Sequence, residues 1–169
     1  MKKILLVGRS GAGKTTLTQA LRGERITYQK TQYFNFVGSL IDSPGEYIET
    51  KRLGYALALY AYEADVVGLL LSATEPFSLY PPAITGMVNR EVVGIVTKTD
   101  DPNGNPQRAA EWLRLTGCKK IFLTSSVEGD GIVDLINYLK EDGDVLPWEI
   151  SPNSSQNNTN KRKKQSKVV

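Results

Sequence analysis

The 169-residue sequence contains no histidine and only one cysteine, Cys118. The missing histidine excludes catalytic triads, metal sites and general bases that depend on an imidazole. A single thiol cannot form an intrachain disulfide, which fits a reducing compartment. No apolar run approaches the roughly 20 residues of a membrane span, and the apolar start is too short for a signal peptide. We therefore expect a cytoplasmic protein without a membrane segment.

Charge is distributed unevenly along the chain. The net charge is +3, but five basic residues fall in residues 151–169. Residues 1–150 contain the other 16 of the 21 Lys and Arg residues and all 18 acidic residues, which gives them a net charge of −2. A mildly acidic body gives no reason to expect DNA or RNA binding. Composition predicts one globular domain over residues 1–147 and a disordered polar tail with a basic cluster over residues 148–169.

A glycine-rich stretch after the first apolar run matches the phosphate-binding pattern G-x-x-x-x-G-K-[ST]. Residues 3–7 predict a buried strand before it, and residues 15–21 predict a helix after it. Backbone N–H groups reach a phosphate only where side chains are small, and a helix N-terminus adds partial positive charge. We expect Lys14 to reach the β- and γ-phosphates and Thr15 to coordinate Mg²⁺. The predicted binding residues here are Gly8, Arg9, Ser10, Gly11, Ala12, Gly13, Lys14, Thr15 and Thr16.

The sequence Asp-Ser-Pro-Gly-Glu at residues 42–46 fits the D-x-x-G pattern of a nucleotide switch. Asp42 is expected to hold Mg²⁺ through water, and the Gly45 N–H to meet the γ-phosphate. Glu46 stands where a switch that hydrolyses GTP uses glutamine to orient the attacking water. Because no histidine can substitute, we predict slow intrinsic hydrolysis with Lys14, Gly45 and Glu46 at the reacting end.

The sequence Thr-Lys-Thr-Asp at residues 97–100 follows a predicted buried strand and matches the guanine-reading pattern [NT]-K-x-D. The Asp100 carboxylate can accept hydrogen bonds from guanine N1–H and from the exocyclic amine. Adenine would leave that carboxylate unpaired, at a cost of about 1–3 kcal/mol. The Lys98 stem is expected to cover one face of the base. Thr97 replaces asparagine with a hydroxyl, which cannot copy the two-sided bonding of an amide, so use of ATP or ADP stays open.

A turn of small residues follows the last predicted strand, at residues 121–123. Its backbone N–H groups could meet the guanine carbonyl oxygen. The residues concerned are Thr124, Ser125 and Ser126.

Predicted strands alternate with predicted helices along most of the chain, apart from one close pair of extended segments between residues 34 and 41. Alternation of this kind predicts an α/β fold with a mostly parallel, six-stranded sheet and helices on both faces. Ligand loops in such folds follow the carboxyl ends of the strands. All four motifs occur at these positions, and their order favours a nucleotide site more than any one motif does.

These motifs, with Tyr-Gln-Lys-Thr-Gln at residues 28–32 and Met-Val-Asn-Arg at 87–90, resemble the EutP/PduV family of Ras-like P-loop NTPases over residues 1–140, PduV more than EutP. The resemblance implies a nucleotide-binding protein associated with a bacterial ethanolamine- or propanediol-utilisation microcompartment. It makes Thr31 the switch threonine that contacts Mg²⁺ and the γ-phosphate, with Thr27 as the alternative. It also implies a shell or enzyme partner.

Three functions compete on the sequence. The first is a GTP-dependent switch or assembly factor with bound Mg²⁺. The second is an acetate kinase-type phosphotransferase, an activity assigned to EutP-like proteins, with Arg9 as a candidate contact for acetyl phosphate. The third is a shell-docking module in which the nucleotide only stabilises the fold.

Overall fold

The computed structural model describes residues 1–23, 40–42 and 61–144. Within these ranges lie five strands: β1 (Ile4–Val7), β2 (Leu40–Asp42), β3 (Val66–Ser72), β4 (Glu91–Thr97) and β5 (Ile121–Leu123). The helices are α1 (Lys14–Arg22), α2 (Pro106–Leu115) and α3 (Ile132–Leu139), and a 3₁₀ helix covers Ile84–Met87. No helix among the described residues is long and apolar enough to cross a bilayer.

The five strands form one sheet in the order β2-β1-β3-β4-β5, and every neighbouring pair is parallel. The predicted α/β class with a parallel sheet is therefore confirmed. The other extended segment, from residue 34, lies outside the described residues. The domain end at residue 147 and the tail of residues 148–169 also lie outside them.

Helices cover both faces of the sheet, so the central strands are buried on both sides. In β1, Ile4 and Leu6 face the layer that contains Leu17 of α1. Leu5 and Val7 face the layer that contains Leu113 of α2. Burial on both faces explains why β1 is a continuous apolar run rather than an alternating one. All four residues of β1 are buried.

The parallel arrangement brings the carboxyl ends of all described strands to one edge of the sheet. The loops that leave this edge cover residues 8–13, 73–83, 98–105 and 124–131. The predicted phosphate loop, guanine loop and small-residue turn are therefore neighbours. The loop after β3 joins them, although no motif marks it in the sequence.

Candidate nucleotide-binding site

The glycine-rich loop connects β1 to α1 through a backbone that requires its glycines. Gly11 and Gly13 have φ angles of 78° and 89°, in the left-handed region that side chains disfavour. Gly8 is closely packed, because a Cβ placed there would lie 3.0 Å from the Leu70 Cβ and 3.1 Å from the Ala12 Cβ. The first glycine therefore allows the loop to leave the sheet against β3, and the other two allow it to turn into the helix.

Lys14 lies at the start of α1 and is 8% exposed. Its ammonium donates hydrogen bonds to the Gly8 carbonyl and, at 3.0 Å, to the Arg9 carbonyl. The Arg9 carbonyl also accepts the Ala12 N–H at 3.1 Å. The phosphate-binding lysine of the motif is thus held inside the turn that the loop makes.

The chemistry of these groups fits a nucleotide phosphate with Mg²⁺. The first turn of α1 contains no acidic residue, and the dipole at a helix N-terminus favours an anion. Thr15 is exposed in this turn and Thr16 is half-buried, so the Thr15 hydroxyl is accessible as a hard oxygen ligand. Asp42 lies at the end of β2, opposite Leu6 in the register of β1. The residues that would hold the phosphate and its Mg²⁺ therefore share one edge of the sheet.

The predicted guanine loop is bonded directly to the phosphate loop. The Thr97 hydroxyl donates to the Ala12 carbonyl at 2.7 Å in a buried position. The Lys98 ammonium donates to the Gly11 carbonyl at 2.9 Å, and Lys98 takes a positive φ of 55°. The two sequence motifs therefore form one hydrogen-bonded unit.

Thr97 bears on the expectation that a hydroxyl cannot copy an amide. A single buried donor is enough to reach the Ala12 carbonyl, and the Thr97 hydroxyl supplies it. An amide could offer a second polar group to a neighbouring loop, which the threonine methyl cannot do. The structure thus shows that Thr97 bonds the predicted guanine loop to the phosphate loop through one donor.

Asp100 is exposed, and its carboxylate accepts no hydrogen bond from the residues that the structure describes. The small-residue turn packs beside it. The Thr99 N–H donates to the Thr124 carbonyl at 3.3 Å, and the Thr124 hydroxyl donates to the Val96 carbonyl at 2.9 Å. The Asp100 carboxylate is therefore accessible to a base that offers it donors.

The structure distinguishes the three residues of the small-residue turn. The Thr124 N–H donates to the Val96 carbonyl at 2.7 Å, and the Ser125 N–H donates to the Asp130 carbonyl at 3.0 Å. The Ser125 hydroxyl accepts the Glu128 N–H at 3.0 Å. Ser126 is half-buried and bonds to no other described residue. Among the three N–H groups, that of Ser126 is the one with no partner in the described part of the chain, which leaves it for a ligand.

Two further residues support the phosphate loop and carry no sequence motif. Glu75 forms an ion pair with Arg9, with the Oε2 and Nη1 atoms 2.9 Å apart. Tyr80 is 7% exposed, and its hydroxyl lies 2.8 Å from the Val7 carbonyl and 2.7 Å from the Leu70 carbonyl. Burial raises the pKa of the Tyr80 hydroxyl, which therefore keeps its proton as a donor.

The sequence contained a weak signal for Glu75 and none for Tyr80. Glu75 lies just after a buried strand, in a loop that leaves the same edge as the loop carrying Arg9. Opposite charges on adjacent loops favour a pair, but they do not identify the partner. The run of residues 76–82 has no periodicity that marks one tyrosine as buried.

Several predicted site residues lie outside the described part of the chain. Thr31, Gly45 and Glu46 are among them, and the Asp42 side chain is not described. Their roles in binding Mg²⁺, contacting the γ-phosphate and hydrolysing nucleotide stay predictions.

The fold has a counterpart among solved structures. The G-domain of FeoB from Methanococcus jannaschii superimposes with a TM-score of 0.55 and is 20% identical in sequence. The match covers 81% of this chain and 94% of the FeoB chain. A likeness at this identity concerns the fold. With the glycine-rich loop, that fold defines the class of the protein as a P-loop NTPase.

The family follows from the sequence comparisons. The family model PduV-EutP, described as ethanolamine utilisation - propanediol utilisation, matches residues 1–141, and the chain belongs to this family. Propanediol utilization protein PduV of Citrobacter freundii is 44% identical over 142 residues, covering 82% of this chain and 93% of that protein. A protein named probable acetate kinase EutP, from Escherichia coli strain K12, is 34% identical over 143 residues, covering 82% and 89%. The predicted family membership is confirmed, with the greater similarity to PduV.

Proposed function

We propose that the protein is a guanine nucleotide-binding switch with slow hydrolysis, acting as an assembly or localisation factor of a propanediol- or ethanolamine-utilisation microcompartment. The observation that carries the proposal is the bonding of the guanine loop to the phosphate loop. The Thr97 and Lys98 side chains donate to the Ala12 and Gly11 carbonyls at 2.7 and 2.9 Å. This bonding fixes the distance between the two loops, as a nucleoside diphosphate requires.

The base preference rests on Asp100. Its exposed carboxylate can accept both guanine donors, and the Ser126 N–H lies in the neighbouring turn as a donor for the guanine carbonyl oxygen. A role in propanediol or ethanolamine utilisation is supported by the description of the family and by the similarity to PduV, and the microcompartment is what the sequence resemblance implies. In a switch of this kind, Mg²⁺ and the γ-phosphate hold the two switch segments, for which we propose residues 25–33 and 42–50.

Calorimetric titration of nucleotide-free protein with GTP, GDP, ATP and ADP in Mg²⁺ tests the base preference. Asp100→Asn presents one donor and one acceptor, which suit xanthine rather than guanine. We expect it to lose guanine affinity and gain affinity for xanthosine diphosphate. Asp101→Asn removes the same charge one residue away and retains an oxygen for the Asn103 N–H, which Asp101 accepts at 2.9 Å.

Asp101→Asn should therefore keep the wild-type preference. Equal or tighter binding of adenine nucleotides by the wild-type protein would contradict the proposal. Slow hydrolysis is tested separately by single-turnover assays with GTP, with Lys14→Ala as the inactive reference. Rapid turnover that Lys14→Ala abolishes would be incompatible with the role proposed for Glu46.

A second candidate function is phosphoryl transfer from acetyl phosphate to ADP, because the EutP relative carries the name of a probable acetate kinase. The phosphate loop would hold the diphosphate, while Lys14 and Mg²⁺ would stabilise transfer. Arg9, the candidate contact for acetyl phosphate, is paired with Glu75 and would have to exchange that partner for the substrate. Production of ATP from acetyl phosphate and ADP, lost in Lys14→Ala, would favour this function over the switch.

A further inference from the structure

The ion pair between Arg9 and Glu75 joins the phosphate loop to the segment that follows β3. Its Nη1 and Oε2 atoms are 2.9 Å apart, and the two side chains are 33% and 11% exposed. A carboxylate so shielded from water interacts with its partner more strongly than one in an exposed surface pair. The pair is thus a defined contact of the site rather than a solvated surface feature.

Glu75 is itself held in place by its backbone. Its N–H donates to the Ser72 carbonyl at 3.0 Å, at the end of β3. Its carbonyl accepts the Arg108 Nη2 group at 3.0 Å, and the Arg108 guanidinium lies 5.1 Å from the centre of the Trp112 ring in α2. The carboxylate of Glu75 therefore extends from a point fixed by both the sheet and a helix.

The other end of the pair leads to the phosphate-binding lysine. The Arg9 carbonyl accepts the Lys14 ammonium at 3.0 Å and the Ala12 N–H at 3.1 Å. Restraining the Arg9 side chain therefore limits the rotation of the peptide group on which Lys14 rests. The contacts form a continuous path from α2 through Glu75 and Arg9 to Lys14.

We propose that Glu75 is a positioning residue that acts through Arg9 to hold Lys14 and the phosphate loop in the geometry that binds phosphate. This inference rests on the phosphate binding proposed above, but it does not depend on which base is bound. Glu75 does not touch the nucleotide in this account. Without its carboxylate the Arg9 peptide group samples more orientations, and the nucleotide must order the loop when it binds.

The test is a double-mutant cycle of Glu75→Gln and Arg9→Met on the full chain, titrated with whichever of GDP and ADP the wild type binds more tightly. Each single variant should bind about fivefold more weakly, and the double variant no more weakly than the worse single variant. Glu111→Gln is the matched control, because it breaks the exposed Glu111–Arg114 ion pair of 2.6 Å on α2, away from the loop. It should bind as the wild type does.

Hydrogen exchange of the nucleotide-free protein provides a readout that needs no nucleotide. Amides of residues 8–14 should exchange faster in Glu75→Gln than in the wild type. In Glu111→Gln their exchange rates should equal those of the wild type. If Glu75→Gln does not fold, Glu75→Asp keeps the charge on a shorter stem, and we expect an intermediate effect.

Failure of the two proposals can be told apart. A wild-type protein that prefers adenine nucleotides, or binds none, contradicts the guanine switch, while the exchange experiment still decides the role of Glu75. Tighter diphosphate binding by Glu75→Gln would overturn the positioning role, because it would show that Glu75 competes with phosphate for Arg9. Unchanged exchange of the loop amides in Glu75→Gln would also overturn it.

Discussion

Replacing Tyr80 with phenylalanine removes one oxygen atom from beneath the phosphate loop. The hydroxyl lies within hydrogen-bonding distance of the Val7 and Leu70 carbonyls, at 2.8 and 2.7 Å. Its single proton can serve either of them. Tyr80→Phe leaves both buried carbonyls without this donor and creates almost no cavity. The effect is therefore expected to be polar rather than steric.

The free energy of unfolding should fall by about 2 kcal/mol, within the range of about 1–3 kcal/mol for a buried group left without its partner. In a domain of this size, that change lowers the melting temperature by roughly 4–8 °C. Tyr62→Phe is the matched control, because it makes the same chemical change at a side chain that is 81% exposed. It should change the melting temperature by less than about 2 °C.

The assay is thermal unfolding by circular dichroism, with urea unfolding to check that the denaturant slope is unchanged. The pH dependence supplies a second test. Burial raises the pKa of Tyr80 above its ordinary value of 10.0, so its contribution to stability is fully present below pH 10 and declines as pH rises above it. The difference between Tyr80→Phe and wild type should thus be constant from about pH 6 to 9. Equal melting temperatures for Tyr80→Phe and Tyr62→Phe would refute the reasoning.

Two further substitutions and one labelling experiment test other parts of the structure. Thr97→Val removes the donor to the phosphate loop and should speed hydrogen exchange of the loop amides, whereas Thr97→Ser keeps the hydroxyl and should not. Gly131→Ala would bring a Cβ within 2.0 Å of the Leu123 carbonyl oxygen at a φ of 70°. It should prevent folding or cost more than about 3 kcal/mol, whereas Gly129→Ala, with a φ of 77° in open space, should cost about 1 kcal/mol in chemical denaturation. Burial raises the pKa of the Cys118 thiol, so labelling by iodoacetamide at pH 8 should be slow in the native state and fast in urea; fast native labelling would contradict the buried position.

The regular elements could be predicted because each follows from a local pattern. Continuous apolar runs gave β1, predicted at residues 3–7, to within one residue, and β5, predicted at residues 121–123, at both ends. Gly23 ends α1 with a φ of 65°, as the glycine after the last helical residue predicts. The phosphate loop was also local, since its spacing of small residues is a property of the eight consecutive positions from Gly8 to Thr15.

The supports of the site could not be predicted because they are not local. Glu75 is 66 residues from Arg9, and several other acidic residues offered the same charge. Lys98 was expected to cover the base with its stem, and no pattern indicated that its ammonium would reach the Gly11 carbonyl, 87 residues away. Such pairings depend on which strands become neighbours and on how far each loop extends from the sheet. Neither quantity is encoded in the spacing of a motif.

In the hydrogen bonds between side chains and backbone around the phosphate loop, the side chain is the donor and a backbone carbonyl is the acceptor. This common pattern bears on how the site works. Side-chain donors from Tyr80, Lys14, Lys98 and Thr97 all bond to carbonyl oxygens of the loop or its approach. The carbonyls they reach belong to Val7, Gly8, Arg9, Gly11 and Ala12. In a trans peptide the N–H points away from the C=O. Holding the Ala12 carbonyl toward Thr97 therefore turns the Gly13 N–H of the same peptide toward the opposite side, where a phosphate would bind. The surrounding side chains need not touch a nucleotide to determine its affinity, since they set the orientation of the peptide groups that do.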